Sequence, residues 1–178
     1  MTVSASAQTG QDTSGRTMAN SGKQSADMGD TDSTFVKKAA QGGMAEVELG
    51  QLATQKASSE EVKKLGQRMV DDHTKANDQL KKVAAEKNIQ LPDGLDAKDK
   101  AIKARLEKLS GEQFDKAYMK DMVKDHKKDV AEFQKESQNG KDPAVKNFAQ
   151  ETLPKLQDHL QEAQKIAPMG QTKHTSGE

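Results

Sequence analysis

Apolar and small residues recur every three or four positions along four long stretches of the chain, with charged residues between them. This spacing is typical of an amphipathic helix, in which one side of the helix returns about every 3.6 residues. The stretches run from about 32 to 56, from 58 to the turn residues 88–94, from 110 to 138 and from 142 to 166. We therefore predict four long helices that bury their apolar sides against one another.

Local signals mark the ends of these helices, because Ser, Asp and Pro favour the first positions and Asn-Gly favours a stop. A Ser followed three residues later by Glu or Gln is typical of a capping box. The predicted caps are a side chain within 32–34 for the first helix, Ser58 with Glu61 for the second, Ser110 with Gln113 for the third, and Asp142 followed by Pro143 for the fourth.

The lengths of the connections predict how the helices pair. The turns near Ala57 and at Asn139-Gly140 are very short, so the first two and the last two helices are expected to form two antiparallel hairpins. A shorter helix is predicted over residues 96–109, between the hairpins, and at 1.5 Å per residue it spans about 20 Å. The sequence leaves open whether this connection crosses over along the bundle or makes a plain turn.

Composition supports an all-α domain with polar tails. Aromatic residues make up 3% of the chain and hydrophobic residues 32%, which is thin for a sheet protein and adequate for helices built on Ala, Leu, Val and Met. Residues 1–31 contain no Leu, Ile, Phe, Tyr or Trp, and residues 168–178 are mostly polar. Both segments are therefore predicted to be disordered tails that flank a bundle domain at 32–167.

Charge and residue usage exclude several classes of function. The 28 basic and 28 acidic residues cancel, whereas a nucleic-acid or anionic-membrane surface needs a net basic face, so no nucleic-acid partner is expected. There is no Cys, which excludes thiolate metal sites and cysteine nucleophiles. No apolar run approaches the roughly 20 residues that cross a bilayer, so no transmembrane segment is predicted. A protein partner or self-association is not defined by the sequence.

The feature that carries chemistry is a pentapeptide, Met-Val-x-Asp-His, which occurs at 69–73 and again at 122–126. In a helix a histidine lies on the same side as the methionine four residues before it, so both histidines fall on predicted apolar sides. A further Asp-His pair places a histidine on the fourth helix, and a glutamate interrupts the apolar side of the first. We predict that these four side chains meet in the middle of the bundle as a metal site: Glu46, His73, His126 and His159.

Three neutral imidazoles and a carboxylate suit Zn(II), Fe(II) or Cu(II). Met69 and Met122, one turn before their histidines, would add soft sulfur ligands and favour copper; the alternative is that they only fill the core. Asp72, Asp125 and Asp158 each precede a histidine by one residue and point about 100° away around the helix. They are candidates to orient an imidazole of a neighbouring helix, or else they are solvent-exposed carboxylates.

The chain also resembles a bacterial family of unknown function, made of ferritin-like four-helix bundles that usually carry export signals. The resemblance covers about residues 34–166. It rests on Phe35, Glu46 to Gly50, both Met-Val-x-Asp-His motifs, Leu109 to Gly111 with Phe114, Asp115 and Tyr118, and Leu153-Pro154-x-Leu156 with His159. It implies a ferritin-like fold and a periplasmic or otherwise extracytoplasmic location, and it implies no established reaction. The expected signal peptide is not evident, although Ala5-Ser6-Ala7 fits the pattern that precedes a signal-peptidase cut.

The sequence leaves three functions open. The first is a bundle that binds a metal ion at the inward histidines. The second is a non-enzymatic structural, stress or interaction protein of the cell envelope, whose histidines specify packing or sense pH. The third is a small redox or hydrolytic enzyme. The chain has no Glu-x-x-His motif, which disfavours a di-iron oxidase, and no Ser-His-Asp set or phosphate loop can be assigned, so a turnover enzyme is not favoured.

Overall fold

The computed structural model describes residues 30–167, which form helices and no strand. The helices are α1 (Asp30–Lys56), α2 (Glu60–Glu86), α3 (Ala97–Glu107), α4 (Gly111–Asn139) and α5 (Pro143–Ile166). The all-α prediction is confirmed, with four long helices and a short one between the second and the third. The predicted tails lie outside the described residues, apart from residues 30 and 31, which belong to α1.

The long helices pack as the two predicted hairpins, α1 against α2 and α4 against α5. The hairpins join through contacts of α2 with α5 and of α1 with α4, so that the four helices surround one interior. The predicted apolar sides face this interior, as the buried Leu65, Met122 and Leu156 illustrate. The all-α bundle of two hairpins is therefore confirmed.

The connection between the hairpins runs along α1 from Gln41 to the end of the helix. At its start Gly94 accepts a hydrogen bond from Gln41 on α1, with a nitrogen to oxygen distance of 3.1 Å. Farther along, Lys103 of α3 lies 2.7 Å from the Glu48 carboxylate. At its end the Glu107 carbonyl accepts a hydrogen bond from Lys56. The contacts advance along α1 as the connection advances, so the connection is a crossover and α2 and α4 run in the same direction.

Two buried aspartates correct the predicted caps. Asp115 of α4 accepts hydrogen bonds from the backbone amides of Ser58 and Ser59, at 3.1 and 2.9 Å, and from the Ser58 hydroxyl. Ser58 therefore does not cap α2; Ser59 does, accepting from the Val62 amide. The Ser110 side chain makes no cap hydrogen bond.

Asp32 was predicted to lie among the capping residues of the first helix, but α1 begins two residues earlier. The buried Asp32 carboxylate instead accepts from the backbone amides of Lys141 and Asp142, at 3.0 and 2.6 Å, and thus closes the turn between α4 and α5. The predicted start of the last helix is confirmed, since Asp142 accepts from the Ala144 and Val145 amides and Pro143 follows it.

We expect Asp115→Ala to lower the free energy of unfolding by about 2–4 kcal/mol, because it leaves two amides and a hydroxyl of the α1–α2 turn without an acceptor. Urea denaturation followed by circular dichroism measures this. Glu112→Ala, at an exposed position one turn earlier in the same helix, is the control. Equal midpoints for the two variants would contradict the anchoring role of Asp115.

Candidate metal centre

Three histidines meet in the interior, one from each of α2, α4 and α5. His73 is 6% exposed, His126 0% and His159 1%. Their ring centroids lie 5.4–5.9 Å apart. One nitrogen of each ring lies within 4.8 Å of a nitrogen of both other rings. The structure thus brings together the three histidines that the sequence singled out.

These polar side chains form a layer between two apolar clusters. One cluster contains Met69, Met122 and Ala163, and the other contains Leu80, Phe133 and Leu156. On each of the three helices the histidine lies between a residue of the first cluster and a residue of the second. Because the apolar positions on either side are fixed by packing, they hold the histidines at one level of the bundle.

Hydrogen bonds assign the protons on two of the rings. Nδ1 of His126 donates to the Met122 carbonyl one turn earlier, at 3.1 Å, and Nε2 of His159 donates to Oδ2 of Asp72, at 2.9 Å. Nε2 of His126, Nδ1 of His159 and Nε2 of His73 are buried and have no hydrogen-bond partner. The unpartnered nitrogens of His126 and His159 therefore carry lone pairs, and Nε2 of His73 does so when the proton of that ring is on Nδ1.

The environment keeps all three imidazoles neutral. Burial, and then the neighbouring imidazoles, lower the pKa of His73 well below its usual value. Burial and the nearby His159 lower the pKa of His126 to about 4, although the bond to Met122 opposes the change. Burial also lowers the pKa of His159, against the effect of the Asp72 hydrogen bond. Near neutral pH the free nitrogens carry lone pairs, which is the form that binds metals.

Asp72 is the carboxylate that accepts a hydrogen bond from an imidazole of a neighbouring helix, that of His159. It is held in turn by Lys155, at 3.5 Å, and by Arg68, at 3.5 Å. Partial burial alone would raise the pKa of Asp72, but the His159 hydrogen bond and the two cations outweigh burial and lower it. Asp158 differs, because its side chain is 66% exposed and lies 3.8 Å from Arg68, so the alternative of a solvent-exposed carboxylate holds there.

Glu46 lies next to the histidines but is in contact with only one of them, His126. Its Oε1 is 3.8 Å from Nδ1 of His126, the nitrogen that already donates to Met122. Its side chain is 0% exposed, and neither carboxylate oxygen has a hydrogen-bond partner. Its nearest acidic neighbours are Asp125 and Asp129 of α4, which form a separate group with it. Glu46 thus stands between the three imidazoles and two further carboxylates.

The acidic group has perturbed protonation. Burial, followed by the charges of Asp125 and Asp129, raises the pKa of Glu46 well above its usual value. Burial and the Asp125 charge raise the pKa of Asp129 to about 7. Sequence reasoning missed Asp129. The signal was available, because Asp125 and Asp129 are four residues apart and so lie on one side of α4.

The two methionines of the repeated motif, Met69 and Met122, are fully buried in the first apolar cluster. This is the environment expected of a core residue. Met122 contributes to the site through its backbone carbonyl, which fixes the proton on His126. The imidazoles therefore form the site, and the methionine side chains belong to the apolar core beside it.

Comparison with known proteins gives a family. Residues 17–166 match the family described as a domain of unknown function, DUF4142. The chain belongs to this family. A comparison with curated proteins gives no match. The resemblance to a helical-bundle family of unknown function, drawn from the motifs, is thus confirmed.

A solved structure with a similar fold is the crystal structure of a DUF305 fragment from Deinococcus radiodurans. The TM-score is 0.70, the sequence identity is 13%, and the match covers 80% of this chain and 98% of that chain. At this identity the similarity shows the fold alone. No helix among residues 30–167 is long and apolar enough to cross a membrane.

Proposed function

We propose that this DUF4142 protein is a metal-binding bundle, with a transition-metal ion held by His73, His126 and His159. One observation carries the proposal: three buried imidazoles from three helices converge, and each of them has a buried nitrogen without a hydrogen-bond partner. Leaving a buried polar atom unpaired costs about 1–3 kcal/mol, and a bound ion would satisfy all three at once. The single long crossover supports classifying the bundle as ferritin-like.

The distances are compatible with an ion after a small contraction. Zinc to nitrogen bonds of about 2.1 Å in a tetrahedral site place ligand nitrogens about 3.4 Å apart. The nitrogens lie within 4.8 Å of one another, so metal binding would draw the rings together. Three neutral imidazoles suit Zn(II), Cu(II) or Fe(II) and leave a coordination position for a further ligand.

The test is metal content by mass spectrometry on untagged protein equilibrated with Zn(II), Cu(II) or Fe(II) and then freed of excess ion. We expect near-stoichiometric metal in the wild type and its loss in His73→Ala/His126→Ala. His174→Ala removes the fourth histidine of the chain and is the control for general histidine binding. A wild type without retained metal, or a double variant that retains it, would reject the proposal.

The contact between Asp72 and His159 gives a quantitative prediction. Asp72→Asn keeps the size of the side chain but removes the charge that holds Nε2–H of His159, so we expect metal affinity to fall about 10–100-fold. Competition with a chromogenic chelator measures the change. Asp158→Asn, at the exposed aspartate that precedes His159, should leave the affinity unchanged. A Kd for Asp72→Asn equal to that of the wild type would contradict the orienting role.

A structural role in the cell envelope is the second candidate. The hydrogen bond from His159 to Asp72 joins α5 to α2 through the polar layer, and such a layer can fix the pairing of helices without binding an ion. The metal-content experiment separates the two candidates, because the structural role predicts no retained ion and a double histidine variant that packs poorly.

We also propose an extracytoplasmic location, on the strength of the motif resemblance and the Ala5-Ser6-Ala7 pattern. Osmotic-shock fractionation of cells that express the protein from its natural gene tests this. Recovery with cytoplasmic markers would reject it.

A further inference from the structure

A second group of ligand-type atoms lies beside the histidines, between α1 and α4. It consists of Glu46 from α1 and Asp125 and Asp129 from α4. One oxygen of each carboxylate lies within 4.8 Å of an oxygen of both others. The crossing of α1 and α4 brings the three together, since the two aspartates lie one helical turn apart on the side that α1 covers.

The evidence for a ligand in this group comes from Glu46. It is fully buried, both of its oxygens lack hydrogen-bond partners, and one of them lies within the group. A proton shared with Asp125 or Asp129 would require an oxygen to oxygen hydrogen bond, and neither Glu46 oxygen makes one. A protonated Glu46 would leave a buried hydroxyl without an acceptor. A cation between the three carboxylates satisfies Glu46 in a way that a proton does not.

The surrounding charges do not neutralise the group. Among the described residues, Lys98 pairs with the group, because its Nζ lies 3.8 Å from Asp125 Oδ1. Lys128 also acts on Asp129, but its Nζ lies 3.7 Å from Glu132, and both lysine side chains are largely exposed. His126 touches Glu46 but is neutral near pH 7. Asp99 and Asp121 act on Glu46 as well, so acidic groups outnumber the two exposed ammonium groups around this site, and the resulting negative potential favours a divalent cation.

Solvent reaches this group from outside the bundle. A cavity of about 360 Å³ between α1, α4 and the start of α3 is lined by Asp125, Asp129 and Lys98, among others. Gly42 of α1 also lines it, and a side chain begun there would come within 4.0 Å of Asp129. Glu46 is not part of the lining and lies farther inside. An ion entering the cavity therefore meets the two aspartates first and Glu46 last.

We propose that Glu46, Asp125 and Asp129 form a second cation site, separate from the three histidines, that binds an oxygen-preferring divalent cation such as Mn(II) or Ca(II). Carboxylates without nitrogen or sulfur ligands select this class of ion, and water from the cavity completes its coordination. The site does not require an ion on the histidines, and its ligands select a different class of metal.

The test is Mn(II) binding to the intact protein, followed by the electron paramagnetic resonance signal of the free ion. We expect one bound Mn(II) per chain in the wild type, displaced by Ca(II). The isosteric variants Glu46→Gln and Asp129→Asn should each raise the Kd at least tenfold. Asp71→Asn removes an exposed carboxylate from α2 and should leave the Kd unchanged. Thermal melts check that each variant is folded. If Asp129→Asn does not fold, the result for Glu46→Gln decides the test.

A histidine variant separates this site from the first. His73→Ala should retain Mn(II) binding and lose retained Zn(II), which would support two sites. Loss of Mn(II) in His73→Ala with retention in Glu46→Gln would place the ion on the histidines and overturn the second site. Absence of bound Mn(II) in the wild type, or equal affinity in Asp129→Asn and Asp71→Asn, would also overturn it. The proposal of a transition-metal site on the histidines is tested separately, by metal content in His73→Ala/His126→Ala.

Discussion

Saturating the chelator-treated protein with its preferred ion at pH 7.5 is expected to raise the thermal midpoint by about 10–15 °C. An ion that binds only the folded state stabilises it by about 4 kcal/mol at a concentration 1,000 times its Kd. For a bundle of this size, each kcal/mol shifts the midpoint by about 3 °C. The ion brings no new apolar burial, so the whole gain comes from coordination by the three imidazoles.

Variants of the histidines test whether the shift in the thermal midpoint comes from an ion bound at these side chains. His73→Ala/His126→Ala should show no shift on addition of Zn(II) or Cu(II), whereas His174→Ala should match the wild type. Scanning calorimetry with and without EDTA measures both. A shift that survives in the double variant would mean that the ion stabilises the protein elsewhere, and no shift in the wild type would favour a purely structural polar layer.

The helices and the histidine layer could be predicted from the sequence because both depend on local periodicity. His73 and His126 sit one turn after a methionine on an apolar stripe, and that stripe faces the interior whatever the details of packing. The short turns at Ala57 and Asn139 then fix the hairpins. With the hairpins fixed, inward residues near the middle of each helix meet at one level.

The caps and the acidic group depend on partners that are distant in the sequence. Asp32 was among the predicted caps and Asp115 lies in the second turn of α4, but both bind amides in other parts of the chain, 109 and 57 residues away. The path of the crossover determines which side of α1 is covered. The grouping of Glu46 with Asp129 follows from how α1 crosses α4, which no local pattern encodes.

The polar layer places groups with opposite preferences next to each other. Burial penalises the charged form of both kinds of side chain, so it favours neutral imidazoles and protonated carboxyls. An imidazole kept neutral destabilises the folded protein in acid, and a carboxyl that must ionise destabilises it in base. The two effects overlap between about pH 4 and 6.5 and partly cancel in the wild type. Removing a group of one kind should reveal the effect of the other kind on the pH dependence of stability.

Acidification should therefore affect two metal-free variants in opposite directions. The pKa of His126 is about 4 in the folded protein, against 6.5 for the ordinary group. As the pH falls through 6.5, the unfolded chain takes up a proton that the folded protein does not, so stability falls down to about pH 4. Each pH unit in this window costs about 1.4 kcal/mol. His126→Gln should remove about 2 kcal/mol of the loss between pH 8 and pH 5.

Asp129 works the other way. Its pKa is about 7 in the folded protein, against 3.8 for the ordinary group, so the folded protein takes up a proton first and gains stability as the pH falls from about 7 toward 4. Allowing for its partial exposure, Asp129→Asn should remove about 2 kcal/mol of this gain and stabilise the protein at pH 8.

Urea denaturation in EDTA at pH 5 and pH 8 measures both variants, with Asp71→Asn as control. Relative to the wild type, acid should destabilise Asp129→Asn more and His126→Gln less. Changes of the same sign in the two variants would contradict a layer in which neutral imidazoles face buried carboxyls.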